Sequence, residues 1–230
     1  MRNTLHLPRR TCAVCTGPIK PDYLMCWQCS RHAGSEFPTA DRVATMIYAI
    51  HGQQSHHLMW QYKTDRPGPD TRRLVQVLAL VGAHQHRRCL ATLTGRQVTH
   101  WATVPSLKPE RIGTDHPFRQ LIAGTQLPEI EVAANPPITA NPRDFAPSNF
   151  QITTPIPSGA HILVIDDTWT SGGHAQSVAA ALKYAGGVYI SFLAVARFIR
   201  PDPVTTPFIG TLHPQFDLYR CPWTADGTCP

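Results

Sequence analysis

Apolar residues follow two kinds of pattern along the chain, and together they predict an α/β domain. An apolar stripe at helical spacing predicts a helix that Asp41 caps and that ends near His51. The stripe consists of Val43, Met46, Ile47 and Ile50. Further helices are expected over 56–62, from Asp70 through Val81, and from Asp115 through Ile122.

Five segments are expected to form strands. These segments are 98–105, 130–133, 150–153, 161–166 and 188–198, while 135–149 is expected to be a loop. The last two strands are almost wholly apolar, which is typical of parallel strands covered on both faces. A helix from Gly172 or Gly173 to about Ala185 joins them into a βαβ unit. We therefore expect a parallel sheet flanked by helices.

Composition adds a basic character to this picture. The net charge of +6 and the pI near 9.1 suit an anionic partner such as phosphate, nucleotide or nucleic acid, or simply a basic surface. Lysines and arginines form no run of five or more, which argues against a nucleic-acid-binding tail. No stretch approaches the roughly 20 apolar residues of a membrane span, and the N-terminus lacks a signal-peptide pattern. A cytoplasmic protein without a membrane span is expected.

Four of the seven cysteines lie near the N-terminus as two C-x2-C pairs. The pairs are Cys12 with Cys15 and Cys26 with Cys29, and this spacing suits four thiolates around a structural zinc ion. A redox pair or two disulfides are the alternatives, but thiols stay reduced in the cytoplasm. We expect a zinc-binding module over 1–37 and a second domain over 38–230.

The remaining cysteines and several histidines carry weaker signals. Cys89 lies in an apolar helical stretch and is expected to be an ordinary core residue. Cys221 and Cys229 either pair with each other or bind a metal, and their spacing leaves this open. His56-His57 and His84-x-His86 are expected to be surface histidines.

The strand over 161–166 leads into the segment richest in binding chemistry. Asp166 and Asp167 follow at its carboxyl end, where open α/β sheets bind ligands. Adjacent carboxylates need partners, and ribose hydroxyls or a magnesium ion supply them. The next positions offer hydroxyl groups and backbone amides at a helix start, which suit a phosphate group. They are Thr168, Thr170, Ser171, Gly172 and Gly173. An acidic strand end with a glycine turn and no ligand is the alternative.

This segment resembles the phosphoribosyl-pyrophosphate (PRPP) signature of type I phosphoribosyltransferases. The resemblance implies that Asp166 and Asp167 hold the ribose hydroxyls of a magnesium-bound PRPP. It assigns the 5-phosphate to the loop from Thr170 through Gly173 and to His174, where the family usually has threonine. The family also holds pyrophosphate on a loop after an earlier strand and on the basic segment beyond. The corresponding residues here are Pro105, Ser106, Lys108 and Arg111, with His116 and Arg119 further along.

A four-cysteine module before such a domain resembles the ComF-like family, which is associated with DNA uptake in competent bacteria. The segments 60–63 and 104–105 resemble that family as well. The resemblance implies a type I phosphoribosyltransferase fold and transfer of phosphoribose from PRPP to an unknown acceptor.

Two other functions stay open. A sensor that binds PRPP or a nucleotide without reaction is suggested by His174 and by Phe118-Arg119-Gln120, which replaces the family's Asn-Gln pair. A module that binds single-stranded DNA or a competence partner is suggested by the net positive charge.

Overall fold

The main sheet has four parallel strands, and their carboxyl ends meet at one edge. A computed structural model describes residues 1–138, 141 and 143–230. The strands are β1 (Arg42–Ile50), β2 (His100–Thr103), β3 (Val132–Ala134), β4 (Phe150–Ile152), β5 (His161–Trp169) and β6 (Tyr189–Ile199). The main sheet has the order β1-β6-β5-β2 with every neighbouring pair parallel, and β3 pairs with β4 in a small antiparallel sheet.

The helices connect these strands and flank the sheet. They are α1 (Trp27–Ala33), α2 (Gln54–Gln61), α3 (Pro69–Leu80), α4 (Arg87–Thr94), α5 (Pro117–Ile122), α6 (Gly173–Tyr184) and α7 (Thr205–Gly210). A π-helical turn (Val81–Gln85) separates α3 from α4, and short 3-10 helices span Pro109–Arg111 and Pro147–Asn149. None of the helices in the described part of the chain has both the length and the apolar character needed to cross a membrane.

Strand β5 shows why the sheet is buried on both faces. Its side chains alternate between two apolar layers, with Leu163 and Ile165 in one and Ile162 and Val164 in the other. All of these side chains are at most 1% exposed. Helix α6 packs on the second layer, where Val178 is fully buried. The apolar run therefore specifies a central parallel strand, as the sequence predicted.

The predicted helix after Asp41 is wrong, because residues 42–50 form strand β1. The apolar stripe matched helical spacing, but the positions between its members are also uncharged. Residues 44–50 are buried without a break, and β1 pairs in parallel with β6. Such a run does not distinguish a buried strand from a buried helix by period alone. Asp41 caps no helix; its carboxylate accepts from the backbone of Ile190 at 2.7 Å and pairs with Lys183 at 2.8 Å.

The other predicted elements are present with shifted ends. Strand β5 continues through Trp169, three residues beyond the predicted end, so the loop before α6 is short. The predicted strands near 100, 132, 151 and 189 and the helices near 58, 75, 119 and 178 are all found. The predicted loop over 135–149 includes positions 139, 140 and 142, which lie outside the described residues, and it ends in a 3-10 helix.

Candidate functional site

A cavity of about 1110 Å³ opens at the carboxyl ends of β2 and β5. Its lining includes twelve residues that the sequence assigned to the ribose, the 5-phosphate and the pyrophosphate loop of PRPP. They are Pro105, Ser106, Lys108, Arg111, Asp166, Asp167, Thr168, Thr170, Ser171, Gly172, Gly173 and His174. Thr103 is paired with Ile165, so the loops that follow the two strands leave the sheet side by side. Strand adjacency thus brings together two segments that are about 60 residues apart in sequence.

The two aspartates have different surroundings. Asp167 is 4% exposed, and its Oδ2 lies 2.6 Å from the Lys63 ammonium and accepts a short hydrogen bond from the Tyr62 hydroxyl. Asp166 accepts from the backbone N–H of Asp167 at 2.8 Å. Within the described residues no cation forms an ion pair with Asp166. One carboxylate of the pair is therefore already neutralised, and the other is not.

This asymmetry separates the pKa values of the two carboxyl groups. Burial and the negative charge of Asp167 raise the pKa of Asp166 from 3.8 to about 8. Burial acts in the same direction on Asp167, but Lys63 and Tyr62 outweigh it and hold the pKa of Asp167 below its ordinary value. Near neutral pH, Asp167 is a carboxylate and Asp166 retains its proton for much of the time. A cation or a set of hydroxyl donors beside Asp166 would favour its ionised form.

The glycine turn after β5 has the backbone geometry of an anion site. Gly172 has φ +85°, and a Cβ there would lie 2.3 Å from the Trp169 ring. Gly173 begins α6, and a Cβ there would lie 1.9 Å from the backbone oxygen of Arg143. Among the described residues no side chain caps this helix start. A side chain at either position would therefore clash with Trp169 or Arg143, and the start of α6, which lines the cavity, favours an anion.

Arg197 stabilises this turn through hydrogen bonds to its backbone. Its Nη1 donates to the backbone oxygens of Trp169 at 3.1 Å and Thr170 at 2.9 Å. A Cβ on Gly17 would lie 2.6 Å from its Nη2, so the guanidinium also contacts the N-terminal cysteine loop. Burial acts to lower the pKa of Arg197, while nearby sulfurs, Cys15 first, raise it above its ordinary value. Arg197 was not predicted from the sequence, although a lone arginine in an apolar strand indicates a buried partner.

Some basic residues of the segment after β2 line the cavity and others do not. Lys108 and Arg111 line it, and His116 does so from the start of α5. Burial lowers the pKa of His116, against the opposing effect of Asp167. Arg119 is not among the lining residues; it pairs with Glu129 at 2.8 Å and with Asp115 at 3.1 Å.

Other lining residues were not predicted as contacts. Lys63 appeared only in a family-like segment, and Arg143 was placed in a loop without a role. The lining includes four Lys or Arg residues and three Asp residues, so with Asp166 largely protonated the cavity favours anions. Sequence signals for these residues are weak, because only the fold brings them to the aspartates.

The four N-terminal cysteines form a separate cluster, as predicted. Their sulfur atoms all lie within 4.8 Å of one another, and those of Cys15 and Cys26 are 3.7 Å apart. Cys12 and Cys15 lie on a tight turn in which Cys12 N–H donates to the Gly17 oxygen, and Cys29 lies on α1. This grouping can hold a metal ion, and three of the cysteines pack into the apolar layer beneath α6.

Comparison with known proteins identifies structural neighbours only. Neither the protein-family models nor the curated protein sequences give a match. Among solved structures, adenine phosphoribosyltransferase from Leishmania donovani has a TM-score of 0.39 and 15% identity, covering 70% of this chain and 86% of its own. The enzyme from Saccharomyces cerevisiae has a TM-score of 0.34 and 14% identity, covering 66% and 80%. Hypoxanthine phosphoribosyltransferase from Staphylococcus aureus has a TM-score of 0.32 and 12% identity, and the match covers 57% of this chain and 76% of its own.

The predicted fold class is confirmed as a parallel sheet flanked by helices with an N-terminal four-cysteine cluster.

Proposed function

We propose that the cavity binds PRPP together with magnesium and that the protein transfers phosphoribose to an acceptor. The observation that carries this proposal is the arrangement of the cavity lining. An acidic pair, an uncapped helix start and a basic loop face one space of about 1110 Å³. These groups match the three parts of PRPP, which are a ribose diol, a 5-phosphate and a pyrophosphate. The N-terminal cysteine cluster ahead of this domain supports the ComF-like arrangement.

Each group has a distinct task in this proposal. Asp166 and Asp167 accept hydrogen bonds from the ribose hydroxyls, and Lys63 fixes the orientation of Asp167. The amides from Gly172 onward, together with Thr170 and Ser171, hold the 5-phosphate. Lys108 and Arg111 stabilise the negative charge that develops on the departing pyrophosphate. The carboxylate oxygens of Asp166 suit a hard cation such as magnesium. When bound with PRPP, that ion would neutralise part of the pyrophosphate charge.

The size of the cavity supports a reaction with two substrates. Small-molecule pockets usually measure about 300–1,000 Å³. The volume here is slightly above that range, which leaves room for an acceptor beside PRPP. Trp60, which is 65% exposed, and the buried Met59 are apolar members of the lining and offer a surface for a flat acceptor such as a base.

We also propose that the four N-terminal cysteines bind a structural zinc ion. Tetrahedral zinc with Zn–S bonds of about 2.3 Å places its sulfur ligands about 3.8 Å apart. The separation of 3.7 Å between Cys15 and Cys26 fits this value. Four cysteines leave no open coordination position, so the ion would have a structural task. Through Arg197 the same module supports the phosphate turn.

The transfer activity is tested by pyrophosphate release. The full chain is mixed with PRPP and magnesium in the presence of a panel of bases and amines. Release is expected with at least one acceptor and is expected to fall roughly 100-fold or more in Asp166→Asn, because the ribose loses a charged partner. The exposed Asp22→Asn is the matched control and should keep full activity. Equal release by wild type and Asp166→Asn would refute the assignment.

A PRPP sensor is the second candidate. It is favoured by the position of His174, whose ring packs edge-on against Phe150 at 6.0 Å. At this position an imidazole that lines the cavity and contacts Phe150 replaces the threonine hydroxyl that is usual in the family. Saturable PRPP binding with no pyrophosphate release for any acceptor would support the sensor over the enzyme.

A further inference from the structure

The chain has a second cluster of metal-ligand side chains on the opposite layer of the domain. His86, Cys89, Cys221 and Cys229 place their ligand atoms within 4.8 Å of one another. With the four N-terminal cysteines, this cluster accounts for all seven cysteines in the chain. Because every cysteine lies in one of two groups of four potential metal ligands, we infer that the thiols of the second group have a common task. Cys89 is buried in the core, as predicted, and its sulfur also belongs to this cluster.

The two helical ligands are positioned by an interruption in the helix. The π-helical turn Val81–Gln85 ends at His86, and α4 begins at the next residue. His86 and Cys89 are three residues apart, so they lie on the same face of the helical turn. His86 is fully buried and Cys89 is 4% exposed, so the surface position predicted for His86 is wrong. Such π turns frequently occur at functional sites.

The other two ligands come from the C-terminal segment. Cys221 is 2% exposed, and its N–H donates to the Gly227 oxygen at 2.7 Å, which closes a loop that returns the chain to Cys229. Gly227 has φ +80°, a conformation that favours glycine. This loop brings two cysteines that are eight positions apart to the same histidine. A preformed turn of this kind lowers the conformational cost of metal binding.

The distances within the cluster fit a tetrahedral metal ion. The Nδ1 atom of His86 lies 3.5 Å from the sulfur of Cys229 and 3.9 Å from that of Cys89. Around tetrahedral zinc, with Zn–N of about 2.0 Å and Zn–S of about 2.3 Å, these pairs are expected about 3.5 Å apart. The centre of the cluster therefore has the dimensions of a zinc site.

The opposite side of the imidazole supports the same conclusion. Its Nε2 faces the backbone oxygen of Leu218 at 3.2 Å. A carbonyl oxygen only accepts, so Nε2 carries the hydrogen and Nδ1 presents its lone pair to the sulfurs. Histidines that bind metals almost always make this outer hydrogen bond, which fixes the tautomer and the ring orientation.

We propose that His86, Cys89, Cys221 and Cys229 bind a second structural zinc ion. Three thiolates and one imidazole suit zinc and fill all four positions, which is typical of a structural site. The ion would tie the C-terminal segment, which has no helix or strand after α7 among its described residues, to the start of α4. This inference does not depend on PRPP binding.

The proposal is tested by counting zinc in the full chain purified under reducing conditions. Elemental analysis is expected to give two zinc ions per wild-type chain, and one per chain for Cys229→Ser. Cys229 is exposed, so this variant leaves the core packing intact. Cys229→His should restore two ions, because imidazole replaces the thiolate as a ligand. His84→Gln, which changes a nearby histidine outside the cluster, should keep two ions.

Variants of the N-terminal cysteine cluster distinguish zinc bound at the first site from zinc bound at the second. Cys26→Ser is expected to give one ion, and the double variant with Cys229→Ser none. A wild-type chain whose single zinc ion is lost in Cys26→Ser but kept in Cys229→Ser, or any unchanged zinc count in Cys229→Ser, would overturn the proposal. A Cys221–Cys229 disulfide found by mass spectrometry in the purified wild-type protein would overturn it as well, because that bond removes two ligands.

Discussion

Replacement of Asp166 by asparagine is expected to stabilise the ligand-free protein at alkaline pH. The carboxyl group has a pKa of about 8 in the folded protein and an ordinary value of 3.8. Between these values the unfolded chain has released a proton that the folded chain retains. Stability therefore falls as pH rises through this window and levels off above about pH 8. Asparagine matches the protonated carboxyl in size and has no proton to release, so the variant lacks this loss.

The size of the effect follows from the pKa difference. One pKa unit corresponds to about 1.4 kcal/mol, so the part of the window between pH 5.5 and 8 corresponds to at most about 3 kcal/mol. Water at the partly exposed carboxyl reduces this, and we expect roughly 1–3 kcal/mol. Asp167 does not interfere, because its pKa is lowered and the stability it contributes is lost only as the solution becomes more acidic.

The assay is urea unfolding of wild type and Asp166→Asn at pH 5.5 and 8.5, without PRPP or magnesium and with zinc content held constant. The stability advantage of the variant should grow between the two pH values by the stated amount. Asp22→Asn, an exposed change of the same chemistry, should give no such growth. An advantage for Asp166→Asn that is equal at both pH values would refute the assignment of a raised pKa to this carboxyl.

Three further outcomes follow from the same geometry. Gly173→Ala should destabilise the protein by about 1–3 kcal/mol in urea unfolding and weaken PRPP binding, because the new Cβ meets the Arg143 backbone. Gly210→Ala is the control, since a Cβ there has open space around it. Lys63→Met should cost about 1–3 kcal/mol at pH 7 and raise the pKa of Asp167, measurable by carbon NMR titration; an unchanged pKa would contradict the ion pair. Arg197→Gln should weaken PRPP binding about tenfold and speed hydrogen exchange around 169–171, because the turn loses its hydrogen bonds to the guanidinium. An unchanged affinity for PRPP would contradict this prediction.

The features that could be predicted from the sequence are those with a local cause. The four apolar residues before Asp166 need a buried strand, and the glycines after Ser171 need a turn, so strand, loop and helix start follow from neighbouring residues. The C-x2-C pairs are local in the same way, since each turn positions two sulfurs at once. Placement of the twelve predicted PRPP residues around one cavity then follows from parallel strands ending at one edge.

The features that could not be predicted depend on contacts between distant segments. The run from Val43 to Ile50 has no charge to mark an exposed face, and only its pairing with β6 makes it a strand. The ion pair of Lys63 with Asp167, and with it the difference between the two aspartates, requires α2 to end beside β5. The cluster around His86 unites a helix interruption with the C-terminal loop, and neither segment alone has the spacing of a zinc motif.

The central claim, that the cavity binds PRPP through Asp166 and the turn after β5, is tested most directly by isothermal titration calorimetry. PRPP with magnesium is titrated into the full-length wild-type chain and into Asp166→Asn. We expect one saturable site per wild-type chain and an affinity roughly 10- to 100-fold weaker in the variant, which is the effect of losing one or two hydrogen bonds to a charged group. Absence of binding to the wild type, or equal affinity for the two proteins, would contradict it.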